Sequence, residues 1–358
     1  MELLKTILHQ KHCDLGAKMA PFAGFDMPIQ YSSVKDESLA VRNSSGVFDV
    51  SHMGEFLVKG PDAVKFVDFI VTNDFLNAGN LKAVYSPLCR EDGTVIDDLI
   101  AYKLKSDEVL ICVNASNIEK DWNWIFSKTD GFDITLENQS DKTSLLALQG
   151  PDSEKILKEL GLIPREDFTY YSVGYSKFED SQVLIARTGY TGEDGFEIFC
   201  PNESIITLWD KLLDLGVTPC GLASRDVLRL EVCYPLYGHE LNDELTPLDA
   251  NLKWTVKDSK PRFIGKEKLS GHSSKYRLAK LSLDKGIPRE GYSVLNPDGK
   301  TIGYITSGTH SVVLGKGICL AHIERDAWPE TKEFSIEIRN RVFPATYHTK
   351  PFVTGGHK

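Results

Sequence analysis

The same order of elements runs twice through the first 215 residues, and this repetition limits the fold more than any single motif does. Gly60-Pro61-Asp62 recurs as Gly150-Pro151-Asp152, and Cys112-Val113-Asn114-Ala115-Ser116 as Cys200-Pro201-Asn202-Glu203-Ser204, at offsets of 90 and 88 residues. Proline has no N–H to leave unpaired at the first helical position, and the adjacent acid meets the positive end of the helix dipole, so each G-P-D string predicts a helix start. Asn and Ser ahead of the other pair of helices cap in a similar way. Around these anchors the first copy predicts strands at 54–59, 83–90, 94–104 and 108–113, a helix from Asn117 and a closing strand near 132–136. The second predicts strands at 144–148, 172–178, 182–187 and 195–200, and a helix over 203–215. Strand, helix, hairpin, helix, strand is the ferredoxin-like motif, so the chain is expected to be α+β with a duplicated pair of such units.

After Trp254 the pattern changes to short alternating strands, with turns expected at Asn296-Pro297-Asp298-Gly299 and Ser307-Gly308, which suits a separate β-barrel or sandwich. The division expected is 1–50 with 140–245 as one discontinuous unit, 51–139 as the second, 246–272 as a connection with a short helix after Gly265, and 273–358 as the barrel domain. A chain of 358 residues exceeds the usual size of one core, in keeping with this. Met1-Glu2-Leu3-Leu4-Lys5 alternates charged and apolar residues at helical spacing, which predicts a structural helix and not a secretory signal.

Composition narrows the function. No apolar run approaches the roughly 20 residues of a membrane span, so no membrane association is expected. Seven scattered cysteines without a C-x-x-C pair point to reduced thiols and a cytoplasmic protein, and nine histidines without H-E-x-x-H spacing give no metal site. A net charge of −10 argues against nucleic acid as partner. Residues 259–358 nevertheless carry 17 Lys/Arg against 9 Asp/Glu, so this end is a candidate docking face for an acidic partner, a merely solvated basic surface being the equal alternative.

Two stretches carry candidate chemistry. The segment from Tyr85 to Tyr102 reads as a hairpin turning at Asp92-Gly93, and alternation then places Asp98 and Tyr102 on one face and Asp97 on the other. One of the two acids must point inward beside the tyrosine, where desolvation raises its pKa into the range of a proton-transferring group; a surface acid at a strand start is the alternative. Arg187-Thr188-Gly189-Tyr190-Thr191-Gly192-Glu193-Asp194-Gly195-Phe196-Glu197 has three glycines in seven residues, which permits a tight loop close to a ligand. It lacks the phosphate-loop patterns. Glu197 is shaped to accept paired N–H donors of a guanidine-like heterocycle, and Arg225 to present a planar fork; an internal Arg–Glu ion pair remains open. Ser51-His52 and His239-Glu240 read as structural or peripheral.

Asp49-Val50-Ser51-His52-Met53-Gly54-Glu55, Ile96-Asp97-Asp98-Leu99, Gln149-Gly150-Pro151, the Arg187 to Gly195 string, Arg225-Asp226 and Leu236-Tyr237-Gly238 follow one another in the order of the glycine cleavage T protein family, which this chain resembles from about Leu8 to Phe352. The resemblance implies a three-domain cloverleaf of intertwined ferredoxin-like folate-binding units and a C-terminal barrel. It implies transfer of an aminomethyl group from the lipoyl arm of H protein to tetrahydrofolate, with no metal and with H protein docking on the basic C-terminal side. By position, Asp98 matches the acid near folate N10, Glu197 and Arg225 the pterin-recognising pair, and Tyr85, Tyr102, Asn114, Tyr170 and Tyr190 residues lining the folate, with Met53 and Tyr237 beside them. Arg289 is expected to bridge barrel and cavity. Where some relatives carry a C-terminal tyrosine contact, this chain ends Val353-Thr354-Gly355-Gly356-His357-Lys358. A folate-dependent demethylase of the same scaffold is the nearest alternative. A folate-binding accessory protein for iron-sulfur assembly is another, although its K-G-C signature is replaced by Glu231-Val232-Cys233.

Overall fold

In the computed structural model, which describes residues 2–357, the two copies appear as two sheets with the same strand order. The first has Lys82–Cys89, Val95–Lys105, Glu108–Val113, Gly54–Lys59 and Thr135–Asn138 side by side. The second has Val173–Phe178, Ser181–Ala186, Gly195–Pro201 and Thr143–Gln149, and then Gly46–Asp49 in the place that Thr135–Asn138 holds in the first. Thr218–Pro219 pairs beyond it, parallel to Gly46–Val47. The second sheet is therefore closed by a strand that precedes the first copy in the chain, and this makes the two units intertwined.

The G-P-D strings mark this closing contact. Gly60 and Gly150 have φ of +132° and +123°, and a Cβ on them would stand 2.3 Å from the Asp133 carbonyl oxygen and 2.4 Å from that of Ser44. Only glycine lets the chain pass so near the incoming strand. The helices Ala63–Ile70 and Ser153–Glu159 start two residues later than proline-first placement predicts, with Asp62 and Asp152 at the N-cap. Neither acid caps with its side chain, because Asp62 accepts from the Asp133 N–H and Asp152 from the Ser44 hydroxyl.

Each sheet buries one face against its own helices. Phe56, Val58, Leu99, Ala101, Val109 and Ile111 form the first core, and Leu146, Leu148, Ile185, Phe196, Ile198 and Trp209 the second. The opposite faces meet each other across a third cluster in which Tyr102, Leu104, Leu110 and Cys112 pack on Leu145, Ala147, Leu184, Ala186 and Phe199. Backbone pairing ties the edges, with the Ala83 N–H donating to Tyr171 O and that of Val173 to Leu81 O.

Tyr276–Leu283, Lys316–Glu324, Thr301–Ser311, Ser293–Leu295, Phe334–Ile338 and Arg341–His348 close into a six-stranded barrel, as Lys280–Ser282 pairs with Thr346–His348. The short helix after Gly265 is Lys266–Leu269. Two expectations fail. Ser307-Gly308 is no turn: the Thr301–Ser311 strand runs through it with a bulge between Ile305 and Ser307, and Gly308 is required because a Cβ would lie 2.5 Å from Pro288 O. Leu4 is not helical either; it exchanges backbone hydrogen bonds with Gly24 and Asp26, extending a small ribbon, and the first helix is His9–Asp14. Met1 lies outside the described residues. No helix among the described residues is long and apolar enough to cross a membrane.

Phe199 meets Tyr102 edge-on at 5.3 Å between ring centres in the seam between the sheets. Phe199→Ala is expected to lower stability by about 3–5 kcal/mol, seen as a lower urea midpoint at unchanged slope.

Candidate active site

The Val95–Lys105 strand delivers the two adjacent acids to opposite faces, as alternation predicts. Asp97 points to the helix side, fully buried, and accepts from the Asn114 N–H at 3.0 Å, Asn114 Nδ2 at 2.8 Å and Asn117 Nδ2 at 2.7 Å. Asp98 faces the other half, where it accepts from the Tyr85 hydroxyl at 2.9 Å and from Asn114 Nδ2 at 3.1 Å. Burial, and after it the neighbouring charge of Asp97, pushes the Asp98 carboxyl up to about 7. Burial and Asp98 push the Tyr85 hydroxyl upward, so it stays a donor at any ordinary pH. The Tyr85 ring stacks on Trp254, with 6.0 Å between ring centres.

In the second half, the Gly-rich string is held shut by its own ends. Arg187 grips Asp194 with Nε at 2.9 Å and Nη2 at 2.6 Å and also reaches Glu154, while Thr191 donates to the Gln149 side chain at 2.8 Å. Gly189 and Gly195 lie against that glutamine, 2.0 Å and 2.4 Å from where a Cβ would stand. The locked loop delivers Gly195–Pro201 with Phe196 and Ile198 in the core and Glu197 on the seam side. There Glu197 accepts from Thr188 Oγ1 at 2.5 Å and, across the seam, from the Tyr102 hydroxyl at 3.2 Å.

Arg225 comes from the Leu222–Glu231 helix, which can start only because Gly221 lies against the backbone of Ile29, 2.2 Å from where a Cβ would be. The open question of an Arg225–Glu197 ion pair resolves against it: Glu197 accepts from Thr188 and Tyr102, no N–O approach within 4 Å joins it to Arg225, and the buried Nη1 of Arg225 has no hydrogen-bond partner. The guanidinium instead lies 5.0 Å from the Tyr190 ring centre and 6.0 Å from that of Phe48. Burial lowers its pKa and Glu197 offsets part of this. A carboxylate and a fork-shaped cation close enough to feel each other, but not joined, leave donor and acceptor capacity for a third group.

These groups share one interior. Tyr190 feels Asp98 and Arg225 together, and Cys112 feels Asp97, Glu197 and Arg225. The Tyr190 hydroxyl donates to Pro235 O, and Met53 packs at the margin of the seam cluster. Tyr237 accepts from Lys120 Nζ at 2.7 Å, near Asp243. Tyr170 stacks on His357 with 4.1 Å between ring centres, and His357 Nε2 lies 3.1 Å from the Tyr234 hydroxyl, so the tail docks on a residue expected to line the folate. Arg289, by contrast, is exposed and reaches only Gly308 O of its own barrel. His239 and Glu240 are respectively peripheral and structural, Glu240 accepting from Arg229 and Thr306. His52 is buried, its pKa lowered to about 4 by desolvation, with Nδ1 unpartnered. Sequence reasoning also passed over Thr188, which the same Arg-Thr-Gly string contained, and Asp121, whose place in an amphipathic helix reads as surface. Among the described residues no group of three or more His, Cys, Asp or Glu is arranged to hold a metal.

Comparison with known proteins identifies the fold that carries these residues. Residues 8–260 match the GCVT N-terminal domain and residues 277–354 the glycine cleavage T-protein C-terminal barrel domain. The aminomethyltransferase of Thermosipho melanesiensis is 47% identical over 359 residues, covering 99% of this chain and 98% of that one. That of Thermotoga maritima is 47% identical over 358 residues, covering 98% of each. The crystal structure of the glycine cleavage system aminomethyltransferase T from Bartonella henselae superposes with a TM-score of 0.93 at 31% identity, over 99% of both chains. Paired α+β sheets, a barrel and a seam that gathers acid, carboxylate and guanidinium thus define a one-carbon group transferase, specifically an aminomethyltransferase. The chain belongs to the glycine cleavage T-protein family and serves the glycine cleavage system.

Because folding raises the carboxyl pKa of Asp98, the native state holds a proton that the unfolded chain has already released between about pH 4 and 7. The Asp98 contribution to stability is therefore present at pH 4 and is lost as pH rises through 7. Asp98→Asn is expected to gain stability relative to the parent over that window, by a few kcal/mol at most, in denaturant titrations at stepped pH.

Proposed function

We propose that the seam between the halves binds tetrahydrofolate as co-substrate, with Glu197 and Arg225 gripping the pterin and Asp98 handling the proton of the transfer. The observation that carries this reading is the unjoined pair: Arg225 Nη1 has no protein partner, and Glu197 accepts only hydroxyl donors, from Thr188 and Tyr102. A guanidinium nitrogen buried without a partner is costly, and a flat heterocycle with a carbonyl and adjacent N–H groups satisfies both members at once. Tyr85, Tyr102, Asn114, Tyr170, Tyr190, Met53 and Tyr237 line the same space. Units bounded at 1–50 with 140–245, 51–139, 246–272 and 273–358 describe how the chain builds it.

The aminomethyl carbon arrives as a thioether on the lipoyl arm of H protein. Its bonds to sulfur and to the amine nitrogen are replaced by bonds to the two folate amines, and the two folate N–H protons end on the thiol and on ammonia, giving 5,10-methylenetetrahydrofolate. The passage of one of these protons falls, in this reading, to Asp98. With a carboxyl near neutrality it accepts a proton from an amine and returns it to a leaving group within one turnover. Tyr85 and Asn114 fix its two oxygens, so the basic lone pair is aimed and not wandering. H protein is placed on the basic barrel side, where residues 259–358 carry 17 Lys/Arg against 9 Asp/Glu. Seven free cysteines suit a reducing cytoplasm.

A reconstituted assay with aminomethylated H protein and tetrahydrofolate tests the roles separately. Asp98→Asn is expected to lose about 10²–10⁴-fold in kcat while folate binding, read by calorimetry, is kept. Unchanged turnover rejects the role of Asp98. Glu197→Gln removes a charged acceptor but keeps its shape, so folate affinity is expected to fall roughly 10- to 100-fold, in line with the strength of a charge-assisted hydrogen bond.

A further inference from the structure

Behind the two strand acids lies a third. Asp121, on the Ile118–Phe126 helix, is fully buried, and neither of its oxygens meets an N–H or O–H of the protein. The polar group within hydrogen-bonding reach of it is the carboxylate of Asp97. Two carboxyl groups in contact away from water cannot both be ionised, so one holds a proton and donates it to the other. The donor inventory decides which. Asp97 receives three N–H bonds, from Asn114 twice and Asn117 once, whereas Asp121 receives none. Negative charge settles where the donors are, on Asp97, and the proton on Asp121. Lys120, next in sequence, is engaged by Tyr237 at 2.7 Å and Asp243 at 3.4 Å and gives Asp121 no hydrogen bond.

We infer that Asp121 is a positioning residue for the transfer reaction: its carboxyl shares one proton with Asp97 and so fixes Asp97 as the negative charge standing behind Asp98. The inference rests on the reading that Asp98 handles the proton, and it explains how that group is tuned. Asn114 Nδ2 binds Asp97 Oδ1 and Asp98 Oδ1 together, so the orientation of Asp97 is passed directly to its neighbour. The ionisable groups that face this set are Tyr85, Tyr190 and Cys112 on the Asp98 side and Tyr237 and Lys120 on the side of Asp97 and Asp121. None of them offers Asp121 a hydrogen bond. With Asp121 removed, Asp97 loses its fourth donor and takes up a proton itself. Asp98 is then freed from repulsion and becomes the stronger acid.

Infrared spectra and rate profiles of the intact protein separate the possibilities. With aspartate carboxyls labelled with carbon-13, so that the buried acid Glu55 does not contribute to the shifted band, the parent is expected to keep a protonated aspartate carbonyl band at pH 9, where Asp98 has ionised. Asp121→Asn, which retains an N–H donor for Asp97, is expected to lose that band and to leave the acid limb of the kcat/KM profile in place. Asp121→Leu, or the smaller Asp121→Ala should leucine not fold, is expected to move the limb about one unit towards acid, a tenfold change in proton affinity. A purely structural role predicts loss of rate or stability with the limb unmoved in both variants, and that result overturns the inference, as does absence of the band in the parent. If Asp98→Asn retains the parent limb while the band is present, the reading of Asp98 is what falls, and the shared proton stands.

Discussion

Across the seam between the sheets, the Tyr102 hydroxyl reaches Glu197 over 3.2 Å, and the apolar side chains around that bond keep water from it. Both residues are buried on a face that would be solvent-exposed in either sheet alone, so the pairing of the halves creates the low-dielectric space that Asp98, Glu197 and Arg225 border. Burial that raises one carboxyl and leaves a guanidinium unmatched costs stability. The cost is spread over a seam in which Phe48, Phe199, Leu145 and Leu184 bury most of their surface.

The Leu222–Glu231 helix ties this seam to the barrel. On its inner side it presents Arg225. On the other, Arg229 binds Asp226, Glu240 and Ser307, and Glu231 accepts from Arg42 and Ser311. Arg42 in turn holds Thr191 O and Glu193 of the Gly-rich loop. Directional ion pairs such as buried Arg229–Glu240 fix register where apolar packing alone tolerates sliding. The barrel thus sets the position of the helix that carries the guanidinium, and with it the distance that keeps Arg225 from collapsing onto Glu197.

Charges at the site fall into two kinds. Arg187 with Asp194, and Arg229 with Glu240, are matched and serve as framework. Arg225 and Asp121 carry buried polar atoms without donors or acceptors, and Asp98 is held near neutrality by burial and the charge of Asp97, in the interior where we propose the transfer takes place. Mismatch confined to one interior, inside a frame of satisfied pairs, is the pattern expected of preorganisation for a charged or proton-moving reaction.

Local order was legible in the chain. The G-P-D pair marked both helix starts to within two residues, alternation put Asp98 and Tyr102 on a common face, and Phe196 and Ile198 flanking Glu197 pointed it away from its own core. These are period-2 and capping effects, set by neighbours in sequence. What sequence left open depended on contacts far apart along the chain. The Gly46–Asp49 strand closes a sheet whose other strands lie about 100 to 170 residues later, and Gly308 looked like a turn because its close neighbour, Pro288, is visible only in space. Whether Arg225 and Glu197 join, and how many donors each of the three aspartates receives, were decided by distances that only the packed halves define. Short-range sterics write the elements into the sequence, whereas charge states belong to the tertiary structure because desolvation and hydrogen-bond supply exist only once distant segments have met.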